Sequence, residues 1–215
     1  MSLKYLLAGL RRWAWAGLLL WLLVTTIAIV GYARTPPTYV ATQRADVALV
    51  AIGPLTQARQ EQLDAQARAT ASLIASPGFL SSPSFLTPVV QQFTVSYGTH
   101  APMSLSVQQA GAALSATHTG TQIVIAARFG TTRAAEVLAQ TAVQALAQQA
   151  SKLLPAASDA TIRIIPSQMP PRVVRDTAAD EATRNLLLAR LALALVTGLL
   201  TVGALAWLGN RASQR

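Results

Sequence analysis

Two long apolar runs without a charged residue constrain this chain more than any other feature. Residues 13–33 and 191–210 contain no Asp, Glu, Lys, Arg or His. As a helix rising about 1.5 Å per residue, each run is roughly 30 Å long, which is the thickness of a bilayer's hydrocarbon core. Inside lipid a helix satisfies its own backbone polar groups. We therefore predict membrane-spanning helices at residues 13–33 and 186–209, with a domain of residues 34–185 between them.

Basic residues beside the two runs indicate the orientation. Lys4, Arg11 and Arg12 precede the first run, Arg211 follows the second, and neither terminal segment contains an acid. Lys and Arg that flank a first membrane helix tend to stay in the cytoplasm. We expect a multi-pass protein of the cell membrane, with residues 1–12 and 210–215 cytoplasmic and residues 34–185 extracytoplasmic.

Further residues mark the boundaries of the predicted spans. Trp13 is an interface anchor at the start of the first, and Arg190 is interpreted as a side chain that reaches the outer interface of the second. A cleaved signal peptide is the alternative for the N-terminus, with cleavage after the small-x-small sequence 31–33. The apolar run exceeds the ~7 to 15 residues of a typical signal-peptide core, which favours a retained helix.

The high net charge of the chain does not point to nucleic acid. The formal charge is +9, but residues 34–185 hold 11 Lys and Arg together with all 8 acids and so carry only +3. The remaining charge lies beside the membrane runs, where it is ordinary for topology. The chain has no cysteine, which excludes disulfides and thiolate metal sites.

The middle segment alternates between strand and helix patterns. The predicted strands are 40–52, 114–118, 121–129 and 160–165; the predicted helices are 55–76, 88–93, 105–113 and 132–154. Thr87 and Pro88 have the form of an N-cap and first helical residue, and Ser106 and Gln109 have capping-box spacing. Thr131-Thr132 offers a hydroxyl N-cap, and Ser76-Pro77-Gly78 is a helix stop. A charged stretch, residues 172–184, leads back to the membrane, with Asp180 and Glu181 near the start of one long membrane-proximal helix. This order predicts an α+β domain with a small mixed β-sheet covered by helices.

No pattern of catalytic, metal-binding or cofactor-binding residues is present in the sequence. His100 and His118 have no second histidine or acid at metal-ligand spacing, so both are interpreted as exposed structural residues. No phosphate-binding glycine loop occurs. A carboxylate pair formed by folding, for instance with Glu136, stays open. We predict a protein without enzymatic activity, metal or cofactor.

Several landmarks, in this order, resemble one known family. They are Arg11-Arg12-Trp13 before the first apolar run, Pro37-x-Tyr39-x-Ala41 after it, Ser76-Pro77-Gly78-Phe79-Leu80 after a helix, the strand-turn-helix of residues 123–147, and a last strand followed by Pro170 and Pro171. Their order between two membrane helices is similar to that of the bacterial chain-length determinants, also called polysaccharide co-polymerases. That family includes the membrane adaptors of capsule tyrosine kinases.

The resemblance implies a non-enzymatic scaffold for capsule, exopolysaccharide or O-antigen-like biosynthesis. Its outer domains would associate into a homo-oligomeric ring in the lipid membrane and act with a polymerase or exporter, and with a separate tyrosine kinase as a further candidate partner. The chain departs from the family pattern at Thr131-Thr132, where an Asp-Pro or similar pair is usual, and in a shortened proline segment. Residues 210–215 contain no tyrosine. A kinase-activating tail is therefore not expected.

Two other classes of function are the alternatives. A membrane-tethered sensor of an extracellular ligand would need a signalling module inside the cell, for which residues 210–215 leave no room. A tethered hydrolase would need titratable groups that converge in a pocket of the folded domain.

Ala194 and Gly198 have the spacing that permits close helix approach in lipid.

Overall fold

The chain divides into two compact units in the computed structural model, which describes residues 3–98, 105–154 and 160–212. Unit 1 comprises Met1–Pro36 and Thr177–Arg215, and unit 2 comprises Pro37–Asp176. The elements are α1 (Leu3–Ala33), β1 (Tyr39–Ala51), α2 (Gln57–Ile74), α3 (Pro77–Leu80), α4 (Pro83–Tyr97), α5 (Val107–Ala113), β2 (Leu114–Thr119), β3 (Gln122–Phe129), α6 (Thr132–Leu153), β4 (Ala160–Pro166), β5 (Arg172–Arg175) and α7 (Thr177–Ala212).

Unit 2 is an α+β domain built on a five-stranded sheet, as the sequence predicts in outline. The strands run in the order β2-β3-β1-β4, and β5 also pairs with β1. The prediction of a mixed sheet is wrong, because every pairing among the described strands is antiparallel. Helix α6 does connect two strands of the same direction, β3 and β4. Since β1 lies between them, they share no ladder.

Strand β5 is absent from the sequence prediction, which ends the sheet at residue 165. Both β4 and β5 pair with β1, at residues 45–51 and 39–42 respectively. The two strands are thus one antiparallel partner of β1, interrupted at residues 167–171. Pro170 and Pro171 lie in this interruption, and proline has no N–H to give to a ladder. Because the prolines interrupt the apolar pattern, the sequence did not predict β5.

Helix α4 also differs from its prediction. It begins at Pro83 after the N-cap position Ser82, so Pro88 lies inside the helix and does not start it. The earlier start buries Phe85 and Leu86. Pro88 removes the N–H that would bond the carbonyl of Ser84, but Ser84 is exposed and water can bond that carbonyl.

Other caps confirm the sequence signals. Ser106 and Gln109 form a complete capping box at α5, and Thr131 Oγ1 accepts a hydrogen bond from Ala134 N at the start of α6. The predicted stop at Ser76 ends α2, and it also caps the one-turn helix α3. Gly120 adopts φ +62° in the β2–β3 turn, a conformation that glycine enters without steric cost.

The core of unit 2 lies between one face of the sheet and the helices. Helix α6 contributes more buried residues to it than any other described element, many of them alanine. Ala41, Ala45 and Ala127 face this helix from the sheet and are at most 1% exposed. Small side chains on both surfaces permit close packing of the helix on the sheet.

Unit 1 consists of α1 and α7. The predicted membrane-proximal helix and second span form a single helix, α7, without a break at residue 186. Its segment Thr177–Ala204 is long and apolar enough to cross a membrane, whereas the apolar part of α1 with described side chains, Gly17–Ala33, is shorter.

Candidate functional site

The residues singled out in the sequence occupy separate parts of the fold. Pro37 is exposed before β1, Tyr39 begins that strand, and Ala41 is fully buried in it. Pro171 directly precedes β5, which pairs with Tyr39 and Ala41, so the sheet brings the first and last motifs together.

The second motif lies around α3. Ser76 Oγ accepts a hydrogen bond from Phe79 N, Pro77 is the first residue of that helix, and Leu80 is buried. Residues Arg11, Arg12 and Trp13 lie within α1, and Arg190 and Arg211 within α7, where the Arg190 side chain is exposed.

The candidate titratable residues do not converge. His118 is exposed near the end of β2, and Glu136 is half-buried on α6. His100 lies outside the described residues. Within residues 3–98, 105–154 and 160–212, no three acids or histidines come close enough to hold a metal ion.

One face of the sheet packs on the helices, and the other face, which we call the open face, is not covered by any described element of unit 2. Strand alternation and register place the following side chains on the open face: Val40, Thr42, Arg44, Asp46, Ala48, Val50, Ser115, Thr117, Thr119, Gln122, Val124, Ala126, Arg128, Thr161, Arg163, Ile165, Arg172 and Val174. None of them is buried. An uncovered sheet face is a surface on which a ligand or partner can lie.

Arginines dominate the charge of the open face. Arg128 Nε lies 3.2 Å from Asp176 Oδ2, an ion pair in which the aspartate side chain is 9% exposed. Arg44, Arg163 and Arg172 are exposed, and no described acid forms an ion pair with them. The acid between them, Asp46, accepts a hydrogen bond from Gln122 Nε2 at 3.5 Å. The face is therefore basic, with three guanidinium groups accessible to an anion.

A cleft of about 200 Å³ opens at the interruption between β4 and β5. Gln43 and Arg44 lie between the two pairings of β1, where Ser167 N still donates a backbone hydrogen bond to Arg44 O at 2.9 Å. The cleft is lined by Thr42, Gln43, Arg44, Ser167, Met169, Pro170 and Arg172. It combines an opening in the sheet with two of the accessible arginines.

Gln43 holds the interruption in place. Its side chain is directed to the core side of β1 and is 6% exposed, and its Nε2 donates to Ser167 O at 3.0 Å and to Met169 O at 3.1 Å. Gln43 Oε1 is buried and has no hydrogen-bond partner. The sequence could have indicated this residue. In the inward-facing series Ala41, Gln43, Ala45, Val47 and Leu49, Gln43 is the one polar member.

The comparisons with known proteins give the chain no family. No protein-family model matches it, and the search of curated proteins finds no match. The resemblance to the chain-length determinants thus stays a prediction from the sequence. In chemical terms, the exposed guanidinium groups of the open face can bind an anion.

Proposed function

We propose that this protein is a non-enzymatic, oligomeric membrane scaffold for the assembly of a surface polysaccharide. It regulates the length or export of the polymer together with a polymerase or exporter. The observation that carries the proposal is the pair of helices in unit 1, which approach closely at Gly17 and Gly198 and whose outer surface is apolar.

The helix pair has the packing expected in lipid. A Cβ added at Gly17 would overlap Val202 Cγ2 and lie 3.3 Å from Gly198 O, so the two backbones approach closely at these glycines. Leu19 and Leu199, which point away from the contact, are 65% and 66% exposed. Small residues at the interface and large apolar residues outside are typical of membrane helices, because lipid provides no hydrophobic force between them.

The fold of unit 2 suits a domain held by both of its ends. Strand β1 begins unit 2 and pairs with β5, which ends it, through Tyr39 and Arg175. Asp176 N also donates to Thr38 O at 2.8 Å. The chain therefore enters and leaves unit 2 side by side, an arrangement compatible with two consecutive crossings of one membrane. In our proposal, both termini are cytoplasmic and unit 2 is extracytoplasmic.

Labelling in intact cells tests the topology. The chain has no native cysteine, so single variants report without background. Val95 is 82% exposed in unit 2, and we expect Val95→Cys to react with a membrane-impermeant maleimide in intact spheroplasts. Ser2→Cys should react only after lysis. Labelling of both positions before lysis, or of neither, contradicts the topology.

Deletion of the gene in its native host tests the role in polysaccharide assembly. We expect an altered length distribution or a reduced surface yield of polymer on gels, with restoration by the intact gene. An unchanged polymer would contradict the proposal. Cross-linking of the native protein in membranes should give species larger than a dimer, and a monomer alone would contradict the oligomeric scaffold.

A further inference from the structure

We propose that copies of this chain associate head to tail through Met169, which inserts into a cleft beside β2 of the neighbouring copy. The inference rests on the proposed oligomeric scaffold and names the contact that builds it. It is argued from the sheet edge formed by β2, from the cleft beside that strand, and from the position of Met169 on the opposite edge of the sheet.

Strand β2 forms a sheet edge that lacks the usual protection. It pairs with β3 on one side, and no described strand pairs with its other side. Natural sheets protect such edges with charged residues or proline, because unpaired backbone groups attract further strands. Residues 114–119 contain no Lys, Arg, Asp, Glu or Pro. An edge of this composition is expected where another chain covers it.

Beside this edge lies a cleft of about 380 Å³, which we call the β2 cleft. Its lining includes Pro77, Gly78 and Leu80 of the α3 region and Leu114 and Ser115 of β2, and none of the described residues that line it is charged. A Cβ added at Gly78 would meet no atom within 4 Å, so the cleft has free space at this residue. Such a cleft suits an uncharged apolar side chain.

Met169 presents a side chain of this kind on the opposite edge of the sheet. It is 78% exposed, and its backbone is held because its carbonyl accepts a hydrogen bond from Gln43 Nε2 at 3.1 Å. Pro170 restricts the backbone further. The unbranched thioether of methionine adapts its shape to irregular apolar surfaces. Met169 therefore offers a flexible apolar side chain from a fixed point.

The strand register places Met169 and the β2 cleft at the same level of the sheet. Ala116, which lines the cleft, pairs with Ile125, and Ile125 pairs with Gln43. Gln43 in turn bonds Met169. Copies that stand side by side in one orientation bring the β4/β5 edge of one to the β2 edge of the next. Met169 then meets the cleft of its neighbour at the matching level.

The contact has to join two copies. Three strand spacings of about 4.8 Å separate the two edges, which places Met169 roughly 14 Å or more from the cleft of its own chain. A side chain on one edge and a cleft on the other form a heterologous interface. Such an interface repeats from copy to copy and closes into a ring when the rotation permits. The assembly is therefore larger than a dimer.

Introduced disulfides test the contact in native membranes. Met169→Cys and Gly78→Cys are expressed as differently tagged full-length copies in one cell and oxidised with copper phenanthroline. We expect roughly tenfold more linked dimer than from Met169→Cys with Gly130→Cys, because a disulfide needs Cβ atoms within about 4.5 Å. Gly130 is a matched control, since it is also exposed and an added Cβ would meet no atom within 4 Å. Both cysteines on one chain should give a series of linked multimers.

Charge variants test whether the side chain itself supports the assembly. Met169→Glu should convert most of the cross-linked oligomer into smaller species, because the uncharged cleft offers a carboxylate no partner. Met169→Leu should retain the oligomer. Val95→Glu is the matched control, because it adds the same charge at a position of α4 that is 82% exposed, and it should also retain the oligomer.

Three results overturn the inference. The first is no linked dimer above the Gly130 control, which would mean that the cleft has another occupant. The second is more dimer from Met169→Cys alone than from the mixed pair, which would indicate a symmetric contact. The third is an unchanged oligomer in Met169→Glu.

The test separates this contact from the proposed function. If any of the three results occurs while the native protein still forms species larger than a dimer and gene deletion alters the polymer, the scaffold function stands and only the contact is lost. If the mixed pair links but deletion leaves the polymer unchanged, the scaffold function is lost and the contact stands.

Discussion

At the scale of single residues, Gln43 determines how the edge of the sheet is built. It holds a core-facing position of β1, opposite Ile125 of β3, where apolar residues are the rule. Its amide bonds the carbonyls of Ser167 and Met169, which leave the ladder at the interruption. The two hydrogen bonds thus offset part of the cost of burying a polar side chain. They also hold the segment around Pro170 and Pro171, which does not pair with the sheet.

Gln43→Met keeps the length and much of the volume of this side chain but removes both hydrogen bonds. With each bond contributing about 0.5 to 1.5 kcal/mol, we expect a loss of about 1 to 3 kcal/mol in the local stability of the interruption and of β5. Hydrogen exchange measured by mass spectrometry should show faster exchange in peptides that contain residues 167–175. Peptides of β3 should be unaffected.

The control is Gln91→Met, the same substitution at an exposed position of α4. It should leave exchange at residues 167–175 unchanged. If Gln43→Met also leaves it unchanged, or slows it, the amide does not hold the segment and the interruption is maintained by the prolines alone.

The amino-acid sequence predicts some features of this region and not others. Pro170 and Pro171 stand out in the sequence as landmarks of the family resemblance, and Gln43 stands out as a polar residue at an inward position of an alternating strand. The cleft itself could not be predicted. It forms only when residues 167–171 return to β1 from the far end of the chain. That pairing depends on register between distant segments, which no local pattern contains.

At the scale of elements, predictions succeeded where a local signal was complete and failed where two signals competed. The capping box of α5, the cap and helically spaced apolar residues of α6, and the apolar run of β3 each determine one structure. In α4, Ser82-Pro83 and Thr87-Pro88 carry the same start signal. The helix begins at the first of these signals, because that start buries Phe85 and Leu86. Burial depends on tertiary packing, which the local sequence does not show.

The contact between α1 and α7 can be tested with an introduced disulfide. A Cβ added at Gly198 would lie 3.5 Å from the Cβ of Trp21, at the short end of the distance range for a disulfide. We expect the double variant Trp21→Cys and Gly198→Cys to cross-link in most molecules under mild oxidation in nanodiscs. Mass spectrometry of the unreduced digest identifies the linked peptides, without interference because the native chain has no cysteine.

The matched control pairs Trp21→Cys with Gly203→Cys. A Cβ at Gly203 has no atom within 4 Å, so this pair should stay near background. Equal cross-linking of both pairs would mean that the helices slide or rotate freely, and the close approach at Gly17 and Gly198 would then not describe the pair in lipid.

At the scale of the whole molecule, the sequence divides its aromatic residues between the two units. All four tryptophans, Trp13, Trp15, Trp21 and Trp207, belong to unit 1, whereas the four phenylalanines lie in unit 2. Trp15 and Trp207 are 72% and 55% exposed, as expected for side chains that face lipid. Tryptophan emission therefore reports on unit 1 alone.

This separation gives a test of the membrane assignment without cell biology. In nanodiscs we expect brominated phosphatidylcholine to quench most of the tryptophan emission and aqueous iodide to quench little. Urea that unfolds unit 2, as followed by far-ultraviolet circular dichroism, should leave the emission maximum in place, because a helix in lipid retains its backbone hydrogen bonds.

The control Val95→Trp adds a reporter to unit 2 at an exposed position, and its extra emission should respond to iodide and not to brominated lipid. Iodide quenching of the native tryptophans to the extent seen in the fully unfolded chain would place unit 1 in water. That result would contradict the proposal of a membrane scaffold.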